Sequence, residues 1–111
     1  AGGDSELQMT QDITQFFLNH FEEQGLDSEF TPFVGRSDYA AFIDAGIAAG
    51  GLATGADGIK TEAQAQIYGG TVGIPHDPCY HQSCDGLDNI NGDLLRQNMD
   101  AILDVSGQLV F

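Results

Sequence analysis

A period of three to four residues in the placement of apolar side chains marks both ends of this 111-residue chain. It runs through residues 5–24, where Ile13, Phe17 and Phe21 follow it, and through residues 92–111. This spacing puts apolar side chains on one face of an α-helix. We therefore predict a long amphipathic helix at each end of the chain.

Shorter elements separated by glycines are predicted between these two helices. Residues 28–33 and residues 47–54 are predicted to form strands. The second segment consists of small and apolar residues, so we expect that strand to be buried. One short helix ends at Gly46, and another begins after the capping residue Thr61. Residues 71–92 form a long irregular connection, and connections of that length in compact domains are usually functional or disordered.

This order of elements is typical of an α/β fold. The chain supplies too few strands for a sheet of its own, since a sheet usually has about four to six strands. We therefore expect that other polypeptide completes the sheet. A chain of this length is near the common size of one domain, so we expect one domain or part of one.

An excess of acidic side chains limits the partners of the chain. It has 17 Asp and Glu residues against 3 Lys and Arg residues, with a formal net charge of −14. Nucleic acids and anionic membranes are bound through clustered Lys and Arg, so we expect no nucleic acid and no membrane as a partner. The sequence also lacks the run of about 20 apolar residues of a membrane span and the pattern of a signal peptide. We expect a mature or excised chain.

Both cysteines of the chain lie in the stretch DPCYHQSCD, residues 77–85. Cys79 and Cys84 are five positions apart, which fits neither the spacing of thioredoxin-like redox motifs nor that of zinc knuckles. Because no second cysteine pair exists to complete a metal site, a local disulfide fits better. It would hold Tyr80 and His81 in a fixed direction, and an oxidised pair indicates an extracellular or periplasmic compartment.

His81 is the best candidate metal ligand among the histidines of the chain. Imidazole is the commonest protein ligand for zinc, and the neighbouring carboxylates of Asp77, Asp85 and Asp88 could orient it. The alternative is a solvated or hydrogen-bonded histidine in a loop. His20 and His76 are weaker candidates. His20 lies on a helix rich in acidic residues and His76 lies before a Pro-flanked turn, and neither has a ligand-type partner at helical spacing that points to a site.

Two further polar features each admit two interpretations. Arg36 follows a glycine at the start of a short helix, where it could receive a carboxylate or carbonyl oxygen or form a surface salt bridge. Residues 85–93 are rich in the Asp and Asn side chains that calcium takes as ligands. They lack the spacing of an EF-hand, so they also fit a solvated turn with Asn91 or Asp93 capping the last helix.

The chain from residue 30 to its carboxyl end resembles the secreted bacterial dizinc aminopeptidases. The resemblance rests on two segments, GRSDYAAFIDAGIAAGGLATGADGIKT and YGGTVGIPHDPCYHQSCDGLDNIN. Their glycine spacing, the DPCYH corner and the DNIN turn occur in that order in the family. The resemblance implies a three-layer α/β/α zinc-exopeptidase fold with a mixed sheet, incomplete in this chain. It makes residues 1–111 the carboxyl-terminal part of a single catalytic domain.

The resemblance also implies a site with two zinc ions. This chain would supply one of the ligands of that site. His81 resembles the last zinc ligand, and Tyr80 resembles the phenol that hydrogen-bonds the developing oxyanion. Cys79 and Cys84 resemble the local disulfide of the family. The other ligands and the base glutamate are expected upstream, so this chain by itself should not hydrolyse peptides. We expect it either to combine with a missing amino-terminal half or to self-associate.

Three positions resemble the substrate side of the family's site, where a peptide is the substrate. Arg36 and Gly35 resemble residues near the scissile residue, and Ala53 resembles a residue of the pocket for the amino-terminal side chain. The family usually carries Pro and Phe where this chain has Ala48 and Ala53. The smaller side chains imply a larger pocket and a preference for bulkier apolar residues.

A non-catalytic module is the alternative function. An acidic domain of this kind could serve in interaction or in calcium binding while lacking the chemistry of the family. Some members of the family bind calcium near the final helix. Arg96 lies in that region of this chain and argues against a cation there.

Overall fold

Helices make up the regular structure that a computed structural model describes for residues 3–31 and 34–110. The α-helices, in chain order, are α1 (Gly3–Glu23), α2 (Tyr39–Asp44), α3 (Glu62–Tyr68) and α4 (Gly92–Val110). A short 3₁₀ helix, Leu87–Asn89, precedes α4. Both long helices predicted from the apolar period are confirmed, and so are the two short ones. None of these described helices combines the length and the apolar character that crossing a membrane requires.

The predicted α/β fold, part of a three-layer α/β/α arrangement with a mixed sheet, is wrong for this chain. No strand occurs among residues 3–31 and 34–110. Ile59 and Pro75 form an isolated antiparallel bridge, which is too short to count as a strand pair. Residues 28–31 of the first predicted strand are irregular, and residues 32 and 33 lie outside the described part.

The second predicted strand, residues 47–54, is irregular because its backbone bonds to helices and side chains. The Ile47 N–H donates to the Phe42 carbonyl oxygen at 2.9 Å, at the end of α2. The Ala49 N–H donates to the Thr10 hydroxyl oxygen at 3.3 Å, on α1. A strand needs a neighbour whose backbone completes its hydrogen bonds. Small apolar residues alone therefore did not specify a strand here.

The chain divides into two compact units. The first comprises Ala1–Leu52 and Met99–Phe111, and the second comprises Ala53–Asn98. In the first unit, Ala101 and Val105 of α4 are buried. Val105 belongs to the apolar face that the sequence predicted for the last helix, and Ala101 lies one turn before it.

A groove of about 430 Å³ lies in the first unit. Ile13 and Phe17 of α1, residues 48–52 and several apolar side chains of α4 line it. The Gly50 backbone lies so close to Ile13 that a side chain at position 50 would overlap it. This contact positions the irregular segment against α1.

Hydrogen bonds at helix ends organise the second unit. Thr61 caps α3: its hydroxyl oxygen accepts from the Gln64 N–H at 3.1 Å, and the Gln64 side chain accepts from the Thr61 N–H at 3.0 Å. This reciprocal pair is a capping box and confirms the predicted cap. Asn91 caps α4 by accepting the Leu94 N–H at 3.1 Å, as one of the two predicted alternatives.

Candidate functional site

A disulfide closes the loop that carries the candidate metal ligand. Cys79 and Cys84 are bonded, with their Cα atoms 5.4 Å apart. This confirms the local disulfide expected from the cysteine spacing. The cross-link lies in the second unit and has Tyr80 and His81 between its two sulfurs.

Successive tight turns shape this loop. The Tyr80 N–H donates to the Asp77 carbonyl oxygen at 3.1 Å, and the Gln82 N–H donates to the Cys79 carbonyl oxygen at 2.9 Å. His81 is the third residue of the second turn and has a φ of 54°. Positive φ at this position is usually supplied by Gly or Asn. The loop therefore holds a histidine in a backbone conformation that most residues avoid.

The rings of Tyr80 and His81 are stacked. Their centroids are 3.9 Å apart and their planes differ by 18°. Tyr80 is half-buried and His81 is exposed. No described residue hydrogen-bonds either imidazole nitrogen of His81. The stacked phenol ring restrains the imidazole while leaving its nitrogens accessible to a ligand from outside.

The carboxylates beside the loop bond to an asparagine instead of orienting His81. Asn89 Nδ2 donates to Asp77 Oδ1 at 2.9 Å and to Asp85 Oδ1 at 3.0 Å. Asp77 Oδ1 also accepts the Cys79 N–H at 3.0 Å. Sequence reasoning missed the bonds of Asn89; a local signal existed only for Asp77, because Asp side chains often bond to the backbone two residues ahead.

The other two histidines have structural roles. His20 is 5% exposed, and its Nδ1 lies 2.6 Å from Asp104 Oδ2. His76 Nδ1 lies 2.8 Å from the Gly58 carbonyl oxygen, and the His76 ring packs against Gly55. Within the part of the chain that the structure describes, neither ring belongs to a group of ligand-type side chains that could hold a metal ion.

The predicted substrate residues are divided between the two units. Gly35 and Arg36 belong to the first unit, and Ala53 belongs to the second, with Tyr80 and His81. Gly35 has a φ of 81°, and its N–H donates to the Tyr39 hydroxyl at 2.7 Å. Arg36 and Ala53 are exposed. Their roles toward a substrate stay predictions.

The described residues do not complete a metal site by themselves. Among residues 3–31 and 34–110, no group of three or more His, Cys, Asp and Glu side chains could hold a metal ion. Zinc usually takes four ligands, at least three of them from protein. His81 could supply one metal ligand, because its imidazole is exposed and is restrained by the Tyr80 ring. A metal ion at His81 therefore requires further ligands from other polypeptide.

Comparison with known proteins identifies the family. The model of peptidase family M28 matches residues 2–106. An aminopeptidase of Pseudomonas aeruginosa is 52% identical over 97 residues, which are 87% of this chain and 18% of that protein. Leupeptin-inactivating enzyme 1 of Streptomyces exfoliatus is 52% identical over 91 residues, which are 81% of this chain and 21% of that protein.

A fungal relative is also similar. Leucine aminopeptidase 2 of Arthroderma otae is 41% identical over 97 residues, covering 87% of this chain and 20% of that protein. The chain thus spans about a fifth of the length of these relatives. The resemblance to aminopeptidases noted in the sequence is confirmed, and the chain belongs to peptidase family M28.

Proposed function

We propose that this chain contributes to the active site of a metal-dependent aminopeptidase, which removes amino-terminal residues from peptides. The proposal is supported by the family and by the aminopeptidase activity for which two of the relatives are named. The observation that carries it is the disulfide-closed loop, on which the exposed imidazole of His81 stacks against Tyr80. Because the chain spans about a fifth of its relatives, the activity belongs to a longer polypeptide.

His81 is the proposed ligand to one of two zinc ions. Imidazole is a preferred zinc ligand, and metal binding favours a side chain whose direction is already restricted. The turn, the disulfide and the stacked Tyr80 ring together restrict the His81 side chain. Bound zinc would polarise the scissile carbonyl and favour ionisation of the attacking water.

Tyr80 is the proposed donor to the developing oxyanion. A phenol O–H can donate one hydrogen bond, and a donor that is already positioned stabilises negative charge in the transition state. Tyr80 is half-buried, its N–H closes a turn by donating to the Asp77 carbonyl oxygen, and its ring stacks on that of His81. This position beside His81 would place the phenol next to a carbonyl bound at the metal.

Three residues are proposed for the substrate side. Arg36 would bind a substrate oxygen. Gly35, whose N–H donates to the Tyr39 hydroxyl, would fix the direction in which the backbone enters Arg36. Ala53 would line the pocket for the amino-terminal side chain, where its small size leaves room for bulky apolar residues. The substrate is a peptide with a free amino terminus.

The partner and the compartment follow from the same proposal. We propose that the remaining ligands come from other parts of a longer chain, with association of two copies as the alternative. The disulfide suits an oxidising compartment, so the proposed location is extracellular or periplasmic.

A hybrid enzyme tests the proposal. These 111 residues replace the matching segment of the Pseudomonas aeruginosa aminopeptidase, and hydrolysis of a leucyl chromogenic substrate is measured. The hybrid should be active, and His81→Ala should lower kcat by more than about 100-fold. Loss of a residue that only orients a metal ligand usually costs up to about 100-fold, so a larger loss indicates a ligand. Ser83→Ala, at an exposed position of the same loop, is the matched control and should retain activity. Full activity of the His81→Ala hybrid would reject the assignment.

A further inference from the structure

One side-chain amide connects both flanks of the disulfide loop. Asn89 Nδ2 donates to Asp77, two residues before Cys79, and to Asp85, the residue after Cys84. The distances are 2.9 and 3.0 Å, within the usual range of such bonds. The loop is therefore closed twice, by a covalent bond and by a non-covalent clamp formed by Asn89, Asp77 and Asp85.

The two closures act on different motions. The disulfide joins the two ends of the loop to each other, but it does not attach them to a helix. Asn89 does so, because it ends the 3₁₀ helix Leu87–Asn89 and lies two residues before Asn91, which caps α4. The clamp thus fixes the loop as a body relative to the start of α4, within the second unit.

The chemistry of an asparagine amide suits the middle of this clamp. Its amide nitrogen carries two hydrogens, one for each carboxylate. An aspartate at position 89 would accept only and would place three carboxylates together, where like charges repel. Asn89 and Asp77 are half-buried, so water replaces the bond between them less readily than a bond at an open surface, whereas the bond to Asp85 is exposed.

We infer that Asn89 is a positioning residue for His81 and Tyr80, acting through Asp77 and Asp85. It touches neither substrate nor metal. Asp77 transmits the effect directly, because the oxygen that accepts from Asn89 also accepts the Cys79 N–H. Without the amide, Asp77 should hold the Cys79 N–H less firmly, so the turn from Cys79 to Gln82 should loosen. Tyr80 and His81 should then lose both their stacking and their fixed direction. The catalytic consequence rests on the proposed function, whereas the geometric consequence does not.

Proton NMR of the metal-free 111-residue chain tests the geometric consequence. The Tyr80 ring current shifts the ring protons of His81, and a His81→Gln chain identifies those resonances. Asn89→Ala should move them toward the values of an unstructured histidine. Asp88→Ala, an exposed neighbour in the same 3₁₀ helix, should leave them in place. Unchanged His81 resonances in a folded Asn89→Ala chain would overturn the inference.

A pair of variants at Asp85 keeps the test decisive if Asn89→Ala does not fold. Asp85→Asn retains an oxygen that accepts from Asn89, whereas Asp85→Ala removes it. The alanine variant should shift the His81 ring protons in the same direction as Asn89→Ala, and the asparagine variant should keep the original spectrum. Equal spectra for the two Asp85 variants would count against the clamp.

Kinetics of the hybrid enzyme test the catalytic consequence. Asn89→Ala should lower kcat by about 10- to 100-fold with little change in KM, as for the loss of residues that orient metal ligands. Asp85→Asn should restore most of the activity lost in Asp85→Ala. A wild-type hybrid without activity would reject the proposed function and leave the NMR result to decide on the clamp. Active hybrids with equal kcat for Asn89→Ala and wild type would overturn the positioning role.

Discussion

His20 on α1 and Asp104 on α4 are joined by a hydrogen bond of 2.6 Å between Nδ1 and Oδ2, across 84 positions of the chain. The His20 side chain is nearly buried, whereas that of Asp104 is 39% exposed. Asp104 also accepts a hydrogen bond from Gln108, one turn further along α4. This pair connects the two long helices within the first unit, beside the buried Ala101 and Val105.

Substitutions at this pair should have unequal effects on stability. His20→Leu replaces the imidazole by an apolar side chain and should reduce the free energy of unfolding by at most about 1.5 kcal/mol. Asp104→Ala should reduce it further, because it leaves a buried imidazole without its partner. Urea unfolding followed by circular dichroism measures both changes. Asp100→Ala, an exposed aspartate on the same helix, is the control, and a loss as large as that of Asp104→Ala would contradict this account.

The same pair should make stability depend on pH. The hydrogen bond from His20 holds the pKa of Asp104 below its usual value, and the bond from Gln108 adds to this lowering. A carboxyl with a lower pKa in the folded chain stabilises it above the unfolded pKa of about 3.9. This contribution is lost as the pH falls through the folded pKa. The difference in unfolding free energy between wild type and Asp104→Asn should therefore shrink below about pH 4; a difference that stays constant would contradict the prediction.

Two adjacent glycines should respond differently to a methyl group. At Gly50 an added Cβ would overlap the Ile13 side chain, whereas at Gly51 it would meet nothing within 4 Å. Gly50→Ala should lower the free energy of unfolding by about 1–3 kcal/mol, as for other overpacked sites. Gly51→Ala should leave stability nearly unchanged or raise it slightly. Thermal unfolding of both variants decides the matter, and equal melting temperatures would show that the segment does not pack on α1 in this way.

Glycine at position 81 should stabilise the chain relative to alanine. His81 has a φ of 54°, a conformation that costs an L-residue about 1–2 kcal/mol but that glycine adopts readily. Both substitutions remove the imidazole, so their difference reports on the backbone alone. We expect His81→Gly to be more stable than His81→Ala by about 1 kcal/mol in urea unfolding. An alanine variant of equal or greater stability would argue against the left-handed turn.

The parts of the structure that the sequence predicted correctly depend on local signals. The period of apolar residues in 5–24 and 92–111 specifies the two long helices. Thr61 and Gln64, which cap α3, are only three residues apart. The disulfide could be predicted from the sequence because the chain has only two cysteines. Each of these features is decided by residues that are close in sequence.

The parts that were wrong or missed depend on residues distant in sequence. Residues 47–54 are small and apolar enough for a strand, but strand formation needs a neighbouring backbone, and Ala49 bonds to the Thr10 side chain instead. His20 and Asp104 are separated by most of the chain, so no spacing rule pairs them. Asn89 was interpreted as part of a solvated acidic turn, because its bond to Asp77 joins two separate turns.

Zinc bound at His81 is the central claim, and a crystal structure of the active hybrid enzyme tests it most directly. Anomalous scattering at the zinc edge locates the ions without reference to activity. We predict a zinc ion with an imidazole nitrogen of His81 at about 2.0–2.1 Å and with its other ligands from outside this chain. A fully zinc-loaded, active hybrid in which the His81 ring contacts no zinc ion would contradict the account.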